Sequence, residues 1–338
     1  MWQLVGQTKA ISFLQRSLER GAVAHAYLFV GPPHVGKMTL ALELAKALNC
    51  EAAEVPCGAC ASCQKIASAK HADVQIIDLA GGRNSDEARL QTEISIDQIR
   101  ELQHSASLPP FEGKFKVFII DGAELLSHEA ANSLLKTLEE PVGKVIFILL
   151  AASDRLLPAT IVSRCQKLEL TPLAATEIET ALLSRGDIET AKARLLAGLS
   201  HGCFGWALAA AGSDEPLRQR SEGLERLLRV TTGDGEERFN YAFQLATQFS
   251  RNRGVVRETL DLWLSWWRDL LLVRAGGPSL ITNADLEATL MSHAQGYRLG
   301  QIRDFISSIQ MALEQLKQNA NPQLVLEVLM LSIPRRGE

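Results

Sequence analysis

The chain has 338 residues, of which 46% are hydrophobic and 22% charged, and its formal net charge is −4. That composition describes a globular protein too long for one ordinary core, so two or three domains are expected. The charge balance excludes a global positive field drawing the chain to nucleic acid and leaves room only for a local basic face.

Residues 1–20 lack the continuous apolar core of a signal peptide and read as an amphipathic helix, with Ala10, Ile11, Phe13, Leu14 and Leu18 at helical spacing. The most apolar late stretch, 260–273, is broken by Asp261, Arg268 and Asp269, so no membrane span is expected and the chain is placed in the cytoplasm. His25 stands at the entrance of an apolar run, 26–30, where it serves either a bound base or the fold. The run leads into Gly31-Pro32-Pro33-His34-Val35-Gly36-Lys37-Met38-Thr39 and then a helical pattern over 40–48. A strand that ends in a glycine-bounded turn and restarts as a helix aims backbone N–H groups and the positive helix end at one anion. Such a cradle takes ATP with Mg2+, with Gly31, Gly36 and Thr39 around it and Lys37 on the outer phosphates, and the sequence leaves open whether nucleotide is retained here. The pattern requires a hydroxyl directly after the lysine to hold Mg2+, and Met38 occupies that position. Thr39 is turned roughly 100° about the helix axis from it. The loop is therefore degenerate, and Met38 argues against hydrolysis.

Cys50, Cys57, Cys60 and Cys63 follow immediately. Two Cys-x2-Cys steps turn the chain tightly enough for neighbouring thiolates to share a metal, and Gly58 eases the turn. Four sulfurs make a closed tetrahedral site, which predicts structural Zn2+, with an iron–sulfur cluster as the alternative occupant. A DNA-binding finger is a third reading, for which only Lys65 and Lys70 lie nearby.

Residues 74–79 alternate like a strand, 80–92 read as an exposed loop, and 94–108 as a helix stopped by Pro109-Pro110. Lys116–Asp121 reads as a buried parallel strand whose last residue, Asp121, emerges beside the phosphate loop to orient a Mg2+ shell. Gly122 stands where a motor ATPase of this kind carries a catalytic glutamate, and Glu124 needs an unusual loop to replace it. Ser127 caps a helix over 127–140 that Pro141 stops, and 145–150 is another buried strand, with Ser153 at its tip as either a phosphate sensor or part of a plain turn. Arg164, after a short helical turn, reads as a surface salt-bridge residue or as a side chain offered to a neighbour's nucleotide. From 166 onward the pattern is helical: 174–183, 187–199 and 202–208, a linker at 211–216, then helices that include 259–274 and 323–333. Trp263, Trp266 and Trp267 share one helix face, as core or as a stacking surface for nucleic acid.

Alternating strands and helices around a phosphate loop give an α/β fold, a doubly wound parallel sheet. His-Ala-Tyr-Leu-Phe (25–29), the four-cysteine insert, Ala-Asn-Ser-Leu-Leu-Lys-Thr-Leu-Glu-Glu-Pro (131–141), Ser-Arg-Cys (163–165) and Asn-Pro-Gln-Leu-Val-Leu-Glu-Val-Leu-Met-Leu (321–331) together resemble the AAA+ clamp-loader family of bacterial replication. The resemblance spans nearly the whole chain. It implies an AAA+ domain over 1–166 with the zinc module at 50–63, a helical lid over 167–212 and an all-α collar over 213–338. It also implies a hetero-oligomer with gamma/tau and delta subunits that opens the sliding clamp and places it on primed DNA.

Such a complex contains hydrolysing motors and a stator that resembles them. Met38 and Gly122 depart from the motor pattern, Trp206 occupies the place where motors carry a lid arginine, and the sequence stops at the collar without the long tau extension. These departures imply the stator. The intact Ser163-Arg164-Cys165 then implies that Arg164 is an arginine finger, catalytic in trans on a neighbouring motor. The alternative is an active motor-type ATPase that uses Thr39 and Glu124.

Overall fold

A computed structural model describes residues 2–79, 93–140, 143–318 and 320–336; the expected loop at 80–92 and the helix stop at Pro141 lie outside the described residues. The chain forms two compact units, Met1–Arg185 with Ser200–Ala207, and Gly186–Leu199 with Leu208–Glu338. The expected lid helices are thus shared between the two.

The first unit is built on a five-stranded parallel sheet of β1 (Ala26–Val30), β2 (Val74–Ile77), β3 (Lys116–Asp121), β4 (Val145–Ala151) and β5 (Gln166–Glu169), in the order β2-β3-β4-β1-β5. Period-two alternation divides the central strands between two cores. Leu28, Phe118, Ile120, Phe147 and Leu149 pack on one face with Leu102 of α4 (Ile96–Ser107) and Leu134 of α5 (His128–Glu139). Tyr27, Phe29, Val117, Ile119 and Ile148 pack on the other with Leu14 of α1 (Thr8–Glu19) and Leu44 of α2 (Lys37–Asn49). Covering both faces explains why the central strands are apolar runs rather than half-polar ones. The helical pattern expected from 166 onward is corrected, because 166–169 form the edge strand β5, in which only Leu168 is buried. Ser95 starts α4 with a capping box through Gln98, and Ser127 caps α5 through Ala130 N–H. The short α3 (Ala61–Ala67) and α6 (Ala159–Val162) and the longer α7 (Ala175–Leu183) complete the unit's helices up to residue 185.

Asp73, 2% exposed, anchors the loop leading to β3. Its carboxylate accepts N–H bonds from Phe111 (2.7 Å), Glu112 (2.8 Å) and Gly113 (2.7 Å). Burial alone would raise this acid, but the three donors hold it below the ordinary aspartate value. Its stabilising contribution is present at neutral pH and is lost as acid protonates the folded carboxylate. Asp73→Ala removes the buried acceptor shared by three main-chain donors, and we expect a loss of about 2–5 kcal/mol in urea unfolding at pH 7.

The second unit is helical: α8 (Thr190–Leu199), the later part of α9 (Phe204–Gly212), α10 (Glu215–Thr232), α11 (Gly235–Arg251), α12 (Arg253–Arg274), α13 (Glu287–Ala294), α14 (Leu299–Lys317) and α15 (Pro322–Leu331). Trp263, Trp266 and Trp267 are all fully buried, and Trp267 packs edge-on against Phe305 at 4.7 Å. The tryptophan face is core, and nucleic-acid stacking there is ruled out. The expected linker at 211–216 is corrected: α9 runs to Gly212 and α10 starts at Glu215, leaving two residues between them. Pro216 stands in the first turn of α10, where its missing N–H costs nothing. No helix among the described residues is long and apolar enough to cross a membrane.

Candidate functional site

The carboxyl edge of the sheet carries an open cavity of about 440 Å³, lined by Gly36, Lys37, Met38, Thr39, Asp121 and Glu124 among others. Gly31 is tied beneath it by its N–H bond to Ala151 O (3.2 Å). Lys37 Nζ donates to Gly31 O (2.6 Å) and Pro32 O (2.9 Å), so the lysine is wrapped by its own loop. The solvent-accessible Asp121 is raised above the ordinary carboxylate range by desolvation and by Asp78, against the pull of Lys37. Met38 and Thr39 both face the cavity, which sequence spacing alone had set apart.

Two further residues reach the site in ways the sequence did not announce. Gly122, at φ 75°, starts a 3-10 turn over Ala123–Leu125 that carries Glu124 into the cavity, where Oε1 accepts Ala152 N–H at 3.0 Å. No unusual loop is needed. On α9 the cavity-lining residue is Gly205, not Trp206, and its N–H bonds to His34 O at 3.0 Å. A glycine inside an apolar helical run was the available signal. His34 itself is held at φ 61°, a left-handed conformation that costs a non-glycine residue about 1 kcal/mol. Ser153 accepts Arg155 N–H and caps the next turn, and is not among the cavity residues. His25 is bonded to Leu138 O (3.0 Å) at the opposite edge of the sheet, so its role is structural.

The four cysteine sulfurs lie within 4.8 Å of one another, with Cys50 to Cys60 and Cys57 to Cys63 each at 4.0 Å. Such a cluster can hold one metal ion. Cys60 N–H and Cys63 N–H donate to the sulfurs of Cys57 (3.3 Å) and Cys60 (3.4 Å), the geometry that stabilises thiolates. The N–H groups of Cys60 and Ala59 bring Cys57 down to about 6, whereas burial pushes Cys63 up to about 12. A bound cation is what would allow all four to ionise together. Lys65 is paired with Glu112, which removes one of the two cations a DNA-binding role required.

Arg164 follows α6 at the amino edge of the sheet. Gln166, two residues on, is level with Tyr27 of β1, whereas the phosphate loop leaves β1 after Val30. The length of β1, roughly 15 Å, thus separates Arg164 from its own chain's cavity. Its guanidinium donates to Thr160 O (2.9 Å) and to Glu139 Oε1 at the end of α5 (2.5 Å).

The chain is similar in sequence to known proteins. The profile of the family described as DNA polymerase III, delta subunit, matches residues 6–174, and that described as its C-terminal part matches 217–334. The chain is 30% identical over 328 residues to DNA polymerase III subunit delta' of Bacillus subtilis, covering 97% of this chain and 96% of that one. It is 37% identical over 181 residues to subunit tau of Escherichia coli, spanning 53% of this chain and 26% of the tau chain. Among solved structures, a gamma subunit-related protein of Thermotoga maritima aligns over 95% of this chain and 97% of that one, with TM-score 0.48 and 21% identity.

Proposed function

The chain belongs to the DNA polymerase III delta subunit family of clamp-loader proteins, and from that premise we propose that it is a delta' stator which donates Arg164 to a motor subunit. The observation that carries this reading is the division of the sheet into two edges. The carboxyl edge holds a cradle with Met38 in place of the metal-binding hydroxyl, and the amino edge holds an arginine out of reach of that cradle. In the assembled loader of gamma/tau and delta subunits, the chain completes a neighbour's site while the complex loads the sliding clamp onto primed DNA. Residues 1–166, 167–212 and 213–338 serve as AAA+ domain, lid and collar, and the complex works in the cytoplasm.

Gly31, Gly36, Lys37, Thr39 and Asp121 form the remnant of an ATP and Mg2+ site. One observation favours the alternative of an active motor-type ATPase, since Thr39 and Glu124 share the cavity with Lys37. Steady-state hydrolysis separates the two readings. The purified chain is expected to show no turnover above that of Lys37→Ala, and turnover abolished by that substitution would establish the motor reading.

The four-cysteine cluster is assigned to structural zinc. Thiolates at about 2.3 Å from a central zinc ion stand about 3.8 Å apart, close to the observed separations, and four sulfurs leave no position for substrate. The cluster ties α2 to α3, since Cys50 is the last cap of one and Cys60 the first cap of the other.

Partner contacts are assigned to an apolar stripe on the second unit. Leu324, Val328 and Leu331 of α15 are 60%, 65% and 68% exposed, and α11, packed beside it, exposes Phe239 and Phe243. Spacing of i, i+4 and i+7 puts the α15 residues on one face. Val328→Asp with Phe243→Asp is expected to weaken co-assembly with gamma/tau at least tenfold in size-exclusion titrations, with little change in thermal stability of the isolated chain.

A further inference from the structure

The first turn of α9 lies on the phosphate loop. Gly205 is the second residue of the helix, so its N–H has no intrahelical acceptor and must find one elsewhere. It takes His34 O at 3.0 Å, the carbonyl of the one residue in the loop held left-handed without being a glycine. The approach is closer than any side chain permits. A Cβ on Gly205 would stand 2.8 Å from His34 O and 3.5 Å from both His34 C and Cα, all of them backbone atoms that cannot rotate aside. In a chain with any other residue at 205, the helix must stand off from the loop; glycine is what lets it close down. On the far side of the loop, Lys37 Nζ is occupied by Gly31 O and Pro32 O, carbonyls of the same turn.

We infer that the Gly205–His34 contact is an autoinhibitory latch, in which the helix N–H and Lys37 Nζ, two donors that could meet a nucleotide phosphate, are both spent on the loop's own carbonyls. A donor that would otherwise be free to meet an anion is spent on the loop itself, and the strained His34 peptide is held in the orientation that accepts it. Nucleoside triphosphate is gripped tightly only when α9 lifts from the loop and Lys37 turns outward. This inference concerns the chain's own cradle and stands or falls apart from the donor role of Arg164.

The test uses the full chain and the fluorescent nucleotide mant-ATP with Mg2+. Gly205→Ala forces the helix away from His34, and mant-ATP is expected to bind at least tenfold more tightly than to the unaltered chain. Adding Lys37→Ala to that variant should return binding to the unaltered level. Equal affinity for the unaltered and Gly205→Ala chains overturns the latch, as does tighter binding that survives Lys37→Ala. Hydrogen exchange on the unaltered chain covers the case in which the variant does not fold. The Gly205 amide is expected to be protected and to lose that protection under saturating mant-ATP; exchange at the free-amide rate without nucleotide, or protection unchanged by it, overturns the inference.

Discussion

Arg164→Ala is expected to lower ATP turnover at the abutting motor site by roughly 10³ to 10⁵-fold, the worth of a finger arginine, while the loader still assembles. The readout is a reconstituted loader in which that motor is the only competent one, compared with the same loader carrying the unaltered chain. The arginine is poised rather than sequestered. Its bond to Glu139 joins side chains 34% and 50% exposed, and a pair this open is worth about 0–1 kcal/mol, so release toward a neighbouring phosphate costs little. Glu139→Ala accordingly leaves turnover within about twofold, which separates a finger from a strut that only holds α5 and α6 together. Arg164→Lys should not rescue, because an ammonium cannot reproduce the planar fork on a phosphoryl group. Unchanged turnover in Arg164→Ala would remove the donor role and leave the family assignment untouched.

The second large effect is expected from the cysteines. Cys57→Ser with Cys63→Ser should reduce bound zinc from one ion per chain to none, read by atomic absorption, and destabilise the region from α2 to α3. Structural zinc contributes about 10–16 kcal/mol of binding energy in small peptides at neutral pH. A folded host recovers only part of that, and a loss of several kcal/mol is the expectation. Metal affinity should fall on acidification as protons compete for the four thiolates. Lys114 connects this module to β3 by donating to Cys50 O at 2.6 Å, so hydrogen exchange at residues 114–116 should quicken with the metal gone. Full zinc content in the double variant would show that these sulfurs do not hold the ion.

The central strands β1, β3 and β4 were legible in the sequence because they are apolar runs bounded by glycine, proline and aspartate, whereas the edge strand β5, Gln-Lys-Leu-Glu with only Leu168 buried, read as part of the helical region. Both cysteine steps were legible because their spacing is itself the geometry. Helix ends were less so. Residues 211–216 carry every sign of a linker, yet Pro216 fits a first helical turn and Gly212 a last one, and packing decided between the two. The site showed the same limit. Met38 declared itself, since a hydroxyl was missing from a fixed pattern. Glu124 was named but set apart by an expected loop, and Gly205 was marked only as a glycine in an apolar run, because what brings them to the cavity is a 3-10 turn and a close backbone approach. Asp73 was invisible for a related reason: its three partners are main-chain groups some 38 to 40 residues away.

All five strands of the sheet run the same way, which gives the subunit a front and a back. When such subunits contact one another head to tail, each presents a receiving rim to one neighbour and a giving rim to the other, and the row acquires a direction. A member whose receiving rim is blunted while its giving rim is intact has only one productive side. On the stator reading proposed above, this chain would be such a member, and the sequence of firing sites would begin beside it and never pass through it.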